Sequence, residues 1–245
     1  MRPRQPCRMS PPPLNRRQAL AGLGSVSLGA LLAACADDDK KTGGAAAATT
    51  EASEPRTRSG GDLADLFDDS SSCTLTAELT EGPFYFDADS IRSDVREDRE
   101  GVTLRLAIRV RYAASCDPIR SAVVDIWQCD AEGHYSGIED DENYLRGAQV
   151  TNSAGIVEFL TIYPGWYQGR TVHIHAKVHL DKQTVLTTQF FFDEETQRAV
   201  SRSAPYSVGD TDNASDEIFN EALVLATRPE GDGYLGTISV DVGRA

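Results

Sequence analysis

From about residue 100 onward, apolar and polar positions alternate with a period of two. This is the pattern of strands that bury one face and leave the other outside the core. Residues 102–111 read Val-Thr-Leu-Arg-Leu-Ala-Ile-Arg-Val-Arg, alternating except at Ala107. Further strands are predicted at 122–127, 157–162, 171–178, 185–191 and 235–242. Turn residues separate them: Asp117-Pro118, Ala131-Glu132-Gly133, Asn152-Ser153-Ala154-Gly155 and Glu230-Gly231-Asp232-Gly233. One helix is predicted, over 215–226, with Asp216, Glu217 and Glu221 toward the end that favours negative charge. No segment repeats at a fixed period. Together these elements predict an all-β fold, an antiparallel β-sandwich with one short helix near the C-terminus.

The first 72 residues follow a different pattern. Asn15-Arg16-Arg17-Gln18 leads into an apolar stretch, 19–34, interrupted by Gly22, Gly24 and Gly29. That stretch is too short and glycine-rich for a membrane span of about 20 residues, and reads as the apolar region of an export signal. It ends in Leu32-Ala33-Ala34-Cys35, which resembles a bacterial lipoprotein box. Residues 1–35 are therefore predicted to be a twin-arginine signal, exporting the protein folded and leaving Cys35 lipidated in the membrane. An ordinary cleaved signal with an incidental Cys35 is the other reading. Residues 36–72 hold Gly, Ala, Thr, Ser and scattered charges, too little apolar content to fold, and are predicted to be a tether. Within it, 63–67 is predicted to form a single helical turn. Residues 73–245 are left for one folded domain.

Composition narrows the class. At 40% hydrophobic and 25% charged residues the chain is globular rather than disordered. Its 24 basic against 38 acidic side chains give −14, which excludes a nucleic-acid partner that works through a basic face. The charge is also uneven, because residues 1–35 contain five arginines and no acid. In an oxidising compartment Cys73, Cys116 and Cys129 allow one disulfide and one leftover thiol, in three pairings. If 102–112 and 122–128 are adjacent antiparallel strands, Cys116 and Cys129 lie at opposite ends, which favours Cys73 pairing with one of them.

Candidate chemistry centres on His173-Ile174-His175, two of only four histidines. Residues two apart on a strand share a face, so both imidazoles can reach one ion. Just before them, Tyr163-Pro164-Gly165-Trp166-Tyr167-Gln168-Gly169-Arg170 can hold a tyrosine and an arginine beside the pair. Upstream, the segment from Asp125 through Gly133 to Tyr135 is a strand entering a glycine turn that presents a second tyrosine. Two histidines with two tyrosines do not form a zinc set. Phenolate is a hard anionic donor and suits trivalent iron.

With that constellation the chain resembles the intradiol ring-cleavage dioxygenases, the catechol and protocatechuate dioxygenase family, in its secreted branch. The resemblance runs through Thr80-Glu81-Gly82-Pro83-Phe84-Tyr85, Val124-Asp125-Ile126-Trp127, Gly133-His134-Tyr135-Ser136, Pro164-Gly165-Trp166-Tyr167, Arg170 to His175, and Thr187-Thr188-Gln189-Phe190. It implies Tyr135, Tyr167, His173 and His175 as ligands of Fe(3+), Arg170 beside the substrate ring, and Gln189 supporting the site. It also implies a catechol and O2 as reactants, and it allows a homodimer. The 168–172 connection is short, and Thr171 stands where the family usually has proline, which leaves the ring substituents open.

Other readings of single residues stand beside these. Tyr163 competes with Tyr167 as a ligand, Tyr135 could be a packed turn aromatic, and Arg170 a surface ion-pair partner. His134 and His179 are expected to be bystanders, and the acidic run 139–142 a solvated loop. A metal-free, surface-anchored sandwich that binds carbohydrate or protein is the alternative function, and a copper site on the two histidines a third.

Overall fold

The computed structural model describes residues 63–67, 73–138, 140–167 and 169–244. The expected signal at 1–35 lies outside these residues, as does most of the expected tether. Residues 63–67 do form a turn, with Leu66 N donating to Leu63 O, and the Phe67 ring lies 4.8 Å from the Arg109 guanidinium.

Among the described residues, eight strands form two four-stranded sheets. They are β1 (Thr103–Tyr112), β2 (Val123–Trp127), β3 (Arg146–Val150), β4 (Ile156–Ile162), β5 (His173–Leu180), β6 (Gln183–Phe191), β7 (Ala226–Glu230) and β8 (Gly233–Val242). One sheet has the order β4-β1-β8-β7 and the other β3-β2-β5-β6. All pairs are antiparallel except β1 with β8, the first strand against the last, which run parallel. The sandwich expected from the sequence is thus present, with one parallel pair at its centre. β1 and β2 sit in different sheets, so they are not the adjacent pair the cysteine reasoning assumed.

Alternation assigns the two faces. Leu104, Leu106, Ile108 and Val110 of β1 pack with Val124 and Ile126 of β2 and with Ile174, Ala176 and Val178 of β5 in one core. The other face of the second sheet therefore carries Asp125 and Trp127 of β2, His173, His175 and Lys177 of β5, and Gln189 of β6. Cross-strand register sets Trp127 and Gln189 on either side of His175, and Asp125 opposite Lys177. This outward face is also covered, since residues 79–92 run across it. Leu79 N donates to Thr187 O, and Ile91 bridges to Ala148.

The helix expected over 215–226 is not formed. That stretch is a series of turns with a single 3-10 turn at Glu221–Leu223. Asp216 is buried, and its carboxylate accepts from the Arg170 guanidinium and from Thr171 N and Ile218 N. Tertiary partners have taken the acid that the sequence placed at a helix N-terminus. Among the described residues an α-helix, α1, spans Glu194–Val200, with Asp193 as N-cap accepting from Thr196 N.

Cys73 pairs with Cys116, tying the start of the covering segment to the β1–β2 connection, and Cys129 is a buried free thiol. The bridge spans 43 positions, so loop-closure entropy alone gives it about 4 kcal/mol. Reduction should lower Tm markedly in a scan run with and without dithiothreitol. An unchanged Tm would show that the bridge constrains nothing in the unfolded chain.

Candidate metal centre

The short β5 segment His173-Ile174-His175 places both imidazoles on the outward face, each about 1% exposed. Their Nε2 atoms stand 3.1 Å apart. His173 donates Nδ1–H to the Thr171 carbonyl at 2.6 Å, which leaves Nε2 as its free lone pair. Burial, with Arg170 adding to it, pushes the His173 pKa down to about 4. Burial, His173 and Arg170 push His175 well below its ordinary value. Both shifts favour the neutral ring, and the two Nε2 atoms converge on one point.

Two tyrosines complete the set. Tyr135 follows a turn that needs glycine: Gly133 has φ +92°, and a Cβ there would meet the Trp166 carbonyl at 2.5 Å. The Tyr135 ring lies 6.3 Å from that of His175, the Tyr167 ring 5.6 Å from that of His173, and the two phenol rings 5.6 Å from each other. Tyr135 Oη is buried without a hydrogen-bond partner of ordinary geometry, although the Tyr167 phenol faces it. Burial raises the pKa of both phenols, with Arg170 pulling Tyr167 back down. The arrangement fits one hard cation: two imidazole Nε2 atoms converging within 3.1 Å, a buried phenol with an unspent oxygen, and a second phenol beside it. A bound cation would reverse the phenols' preference for the neutral form.

Tyr163 lies elsewhere. It sits in the inter-sheet core, its ring 4.2 Å from Phe192 and 6.3 Å from Tyr206 and Tyr234. Of the two tyrosines the sequence left open, the fold brings only Tyr167 to the histidines.

Arg170 is held from three sides. Nε donates to Asp216 Oδ2 at 2.9 Å, Nη2 to Gln189 Oε1 at 2.7 Å, and Nη1 stands 3.5 Å from His173 Nε2. Gln189 in turn donates to the Thr80 carbonyl at 2.8 Å. The covering segment thus locks onto the site through the same glutamine that locks the arginine. Phe84, on that segment, stacks on Tyr135 at 4.6 Å, and Gly82 lies close enough that a Cβ would be 3.2 Å from His175 Cε1. Asp216 was not identifiable from the sequence as part of the site, because a partner 46 residues from Arg170 leaves no local signal.

A cleft of about 430 Å³ opens onto the two phenols, lined among others by Phe84, Tyr135, Tyr167, Asp130, Glu132 and Asp140. His134 is exposed beside Asp130 at its rim, and His179 hydrogen-bonds Thr184 farther along β5; neither meets the histidine pair. Asp140 caps its own turn, accepting from Gly137 N and Glu142 N, as a solvated loop does.

Comparison with known proteins agrees with this geometry. Residues 80–208 match a family model described as dioxygenase, more than half of the chain. An intradiol ring-cleavage dioxygenase from Tetranychus urticae is 34% identical, with 70% of this chain and 95% of that one covered and a TM-score of 0.67. The dioxygenase domain of a carbohydrate-binding fusion from the cellulolytic bacterium Streptomyces sp. SirexAA-E is 33% identical over 70% of this chain and 100% of that one, with a TM-score of 0.58. Chlorocatechol 1,2-dioxygenase of Pseudomonas putida is 27% identical over 143 residues, 48% of this chain and 54% of its own length. The chain spans 54% to 64% of the length of such curated relatives. It belongs to the intradiol dioxygenase family.

Proposed function

We propose that the protein is a non-haem iron(III) enzyme that cleaves catechols between their two hydroxylated carbons, adding both atoms of O2 to give muconate-type diacids. The observation that carries this reading is the convergence of His173 and His175 Nε2 atoms, 3.1 Å apart, with the Tyr135 and Tyr167 phenols around them. Ferric ion held by these four residues would supply the Lewis acidity that turns a catechol into its dianion and primes the ring for dioxygen. The chain's own residues do the rest. Phe84 and the two phenols wall the cleft as a slot for a flat ring. Tyr167 lines the same cleft, and in its phenolate form it would take a substrate hydroxyl proton. Arg170, fixed by Asp216 and Gln189, aims a cation at negative charge developing on the ring.

The substrate follows from charge. The cleft rim carries Asp130, Glu132 and Asp140, and its one arginine, Arg99, is already paired with Asp98 at 2.7 Å. A substrate carboxylate would find repulsion there, so plain and alkyl-substituted catechols should be cleaved at least as well as protocatechuate. Iron analysis, a visible spectrum and oxygen uptake on the purified full chain test both points. Red-brown protein that consumes O2 with 4-methylcatechol is the expected result. Colourless protein that retains no iron would leave the metal-free binding sandwich as the better reading, and a strong preference for protocatechuate would show a carboxylate pocket.

The basic, apolar and boxed-cysteine order of residues 1–35 supports export and a lipid anchor on Cys35, at the cell surface or on the periplasmic side. Cys35→Ser should move the protein from the membrane fraction to the soluble one with ring cleavage intact. A variant still sedimenting with membranes would rule the lipid anchor out.

A further inference from the structure

The two histidines of the centre are oriented by different means. A metal-binding histidine is ordinarily fixed through its second ring nitrogen, by a carbonyl, carboxylate or water. His173 follows that rule through the Thr171 carbonyl. His175 does not: its Nδ1 is buried, and no protein group among the described residues bonds to it. Its ring instead lies flat on the Trp127 indole, with centroids 4.9 Å apart and planes 9° from parallel. The backbone of Gly82 closes on its Cε1 edge.

The stack continues away from the centre. Tyr85 packs against Trp127 at 4.7 Å, and its hydroxyl donates to Asp125 Oδ2 at 3.2 Å. The Lys177 ammonium sits 3.4 Å from the centre of the Tyr85 ring and pairs with Glu81. Register explains why the column assembles: Trp127 faces His175 and Asp125 faces Lys177 across the same β2–β5 pair. The indole is itself fixed: it is about 1% exposed and packs against Tyr85, whose hydroxyl is held by Asp125.

We infer that Trp127, backed by Tyr85 and Lys177, is the positioning residue for His175, replacing by ring stacking the hydrogen bond that orients His173. The inference rests on the proposed function, since it presumes that His175 holds iron. Removing the indole frees the ring to rotate about χ2 and turns its Nε2 from the shared point, whereas another flat ring preserves most of the restraint. Loss of an orienting partner of a metal ligand typically costs about 10–100-fold in metal affinity.

Trp127→Leu and Trp127→Phe in the full chain test it, read by competition for ferric iron against a chelator and by the visible band. Trp127→Leu is expected to lose iron about tenfold or more readily, with a shifted band. Trp127→Phe is expected to recover most of the affinity and the wild-type band. Should Trp127→Leu fail to give a cooperative melt, Trp127→Met, which keeps bulk without a flat ring, takes its place, and a displaced band is the expected result. Wild-type affinity and band in a folded Trp127→Leu, or an unmoved band in Trp127→Met, would overturn the inference while leaving the iron site standing. Wild-type protein that binds no ferric iron would overturn both.

Discussion

Tyr167→Phe is expected to slow catechol cleavage by at least about 10²-fold, the usual contribution of a positioned acid–base group, while iron stays bound. Three candidate ligands remain in the variant, so the ion is held, but one phenol no longer colours it and the visible band shifts. Tyr163→Phe is the matching control. The Tyr163 hydroxyl is buried with no hydrogen-bond partner and its ring packs in the inter-sheet core, so removing the oxygen relieves a desolvated group and breaks nothing. Stability should hold or rise, with turnover and colour unchanged. Stopped-flow kinetics and absorption spectra of the two variants decide the matter, and a bleached Tyr163→Phe beside an unaltered Tyr167→Phe would exchange their roles.

The largest loss of stability is expected from Asp216→Ala. Asp216 and Arg170 have side chains only 1% and 14% exposed, and the carboxylate also accepts from two backbone amides. Deleting one partner leaves the other charge buried and uncompensated, which costs about 3–5 kcal/mol. For a domain of this size, that lowers Tm by roughly 10 °C. Arg170 would then keep only Gln189 and the longer contact to His173, so kcat should fall as well. Calorimetry on wild type and variant reads the first effect, and a Tm within a degree or two of wild type would show the pair to be replaceable by solvent.

Much of this molecule was legible in its sequence because period-two alternation reports directly which residues share a face. β1, β2, β4, β5, β6 and β8 were all found that way, and the spacing of His173 and His175 put both rings on one side of β5. β3 and β7 escaped detection because they are polar strands at sheet edges, Arg-Gly-Ala-Gln-Val and Ala-Thr-Arg-Pro-Glu, with no apolar face to alternate. The missed helix α1 had a signal, Asp193 followed by Glu194 and Glu195, but it is only seven residues long. At 215–226 local propensity points to a helix, and the need of half-buried Arg170 for a counter-charge prevails. At the site, residue types and order were visible, whereas the division of labour between a hydrogen-bonded and a stacked histidine depends on which groups the fold brings within reach.

The parallel pairing of β1 with β8 has a consequence for how the polypeptide is made. Along its length it joins Leu104 with Tyr234 and Tyr112 with Val242, contacts some 130 residues apart. The β3-β2-β5-β6 sheet can pair without β8, but neither the β4-β1-β8-β7 sheet nor the core between the sheets can be completed until β8 is available, because β8 lies between β1 and β7. Contacts so distant in sequence close slowly, after the loop entropy between them has been overcome. Until then β1 presents one unpaired, apolar-backed edge to whatever else is nearby. Closure of the domain therefore waits on the synthesis of β8, and its maturation needs an interval between the appearance of that strand and any step that requires the finished sandwich.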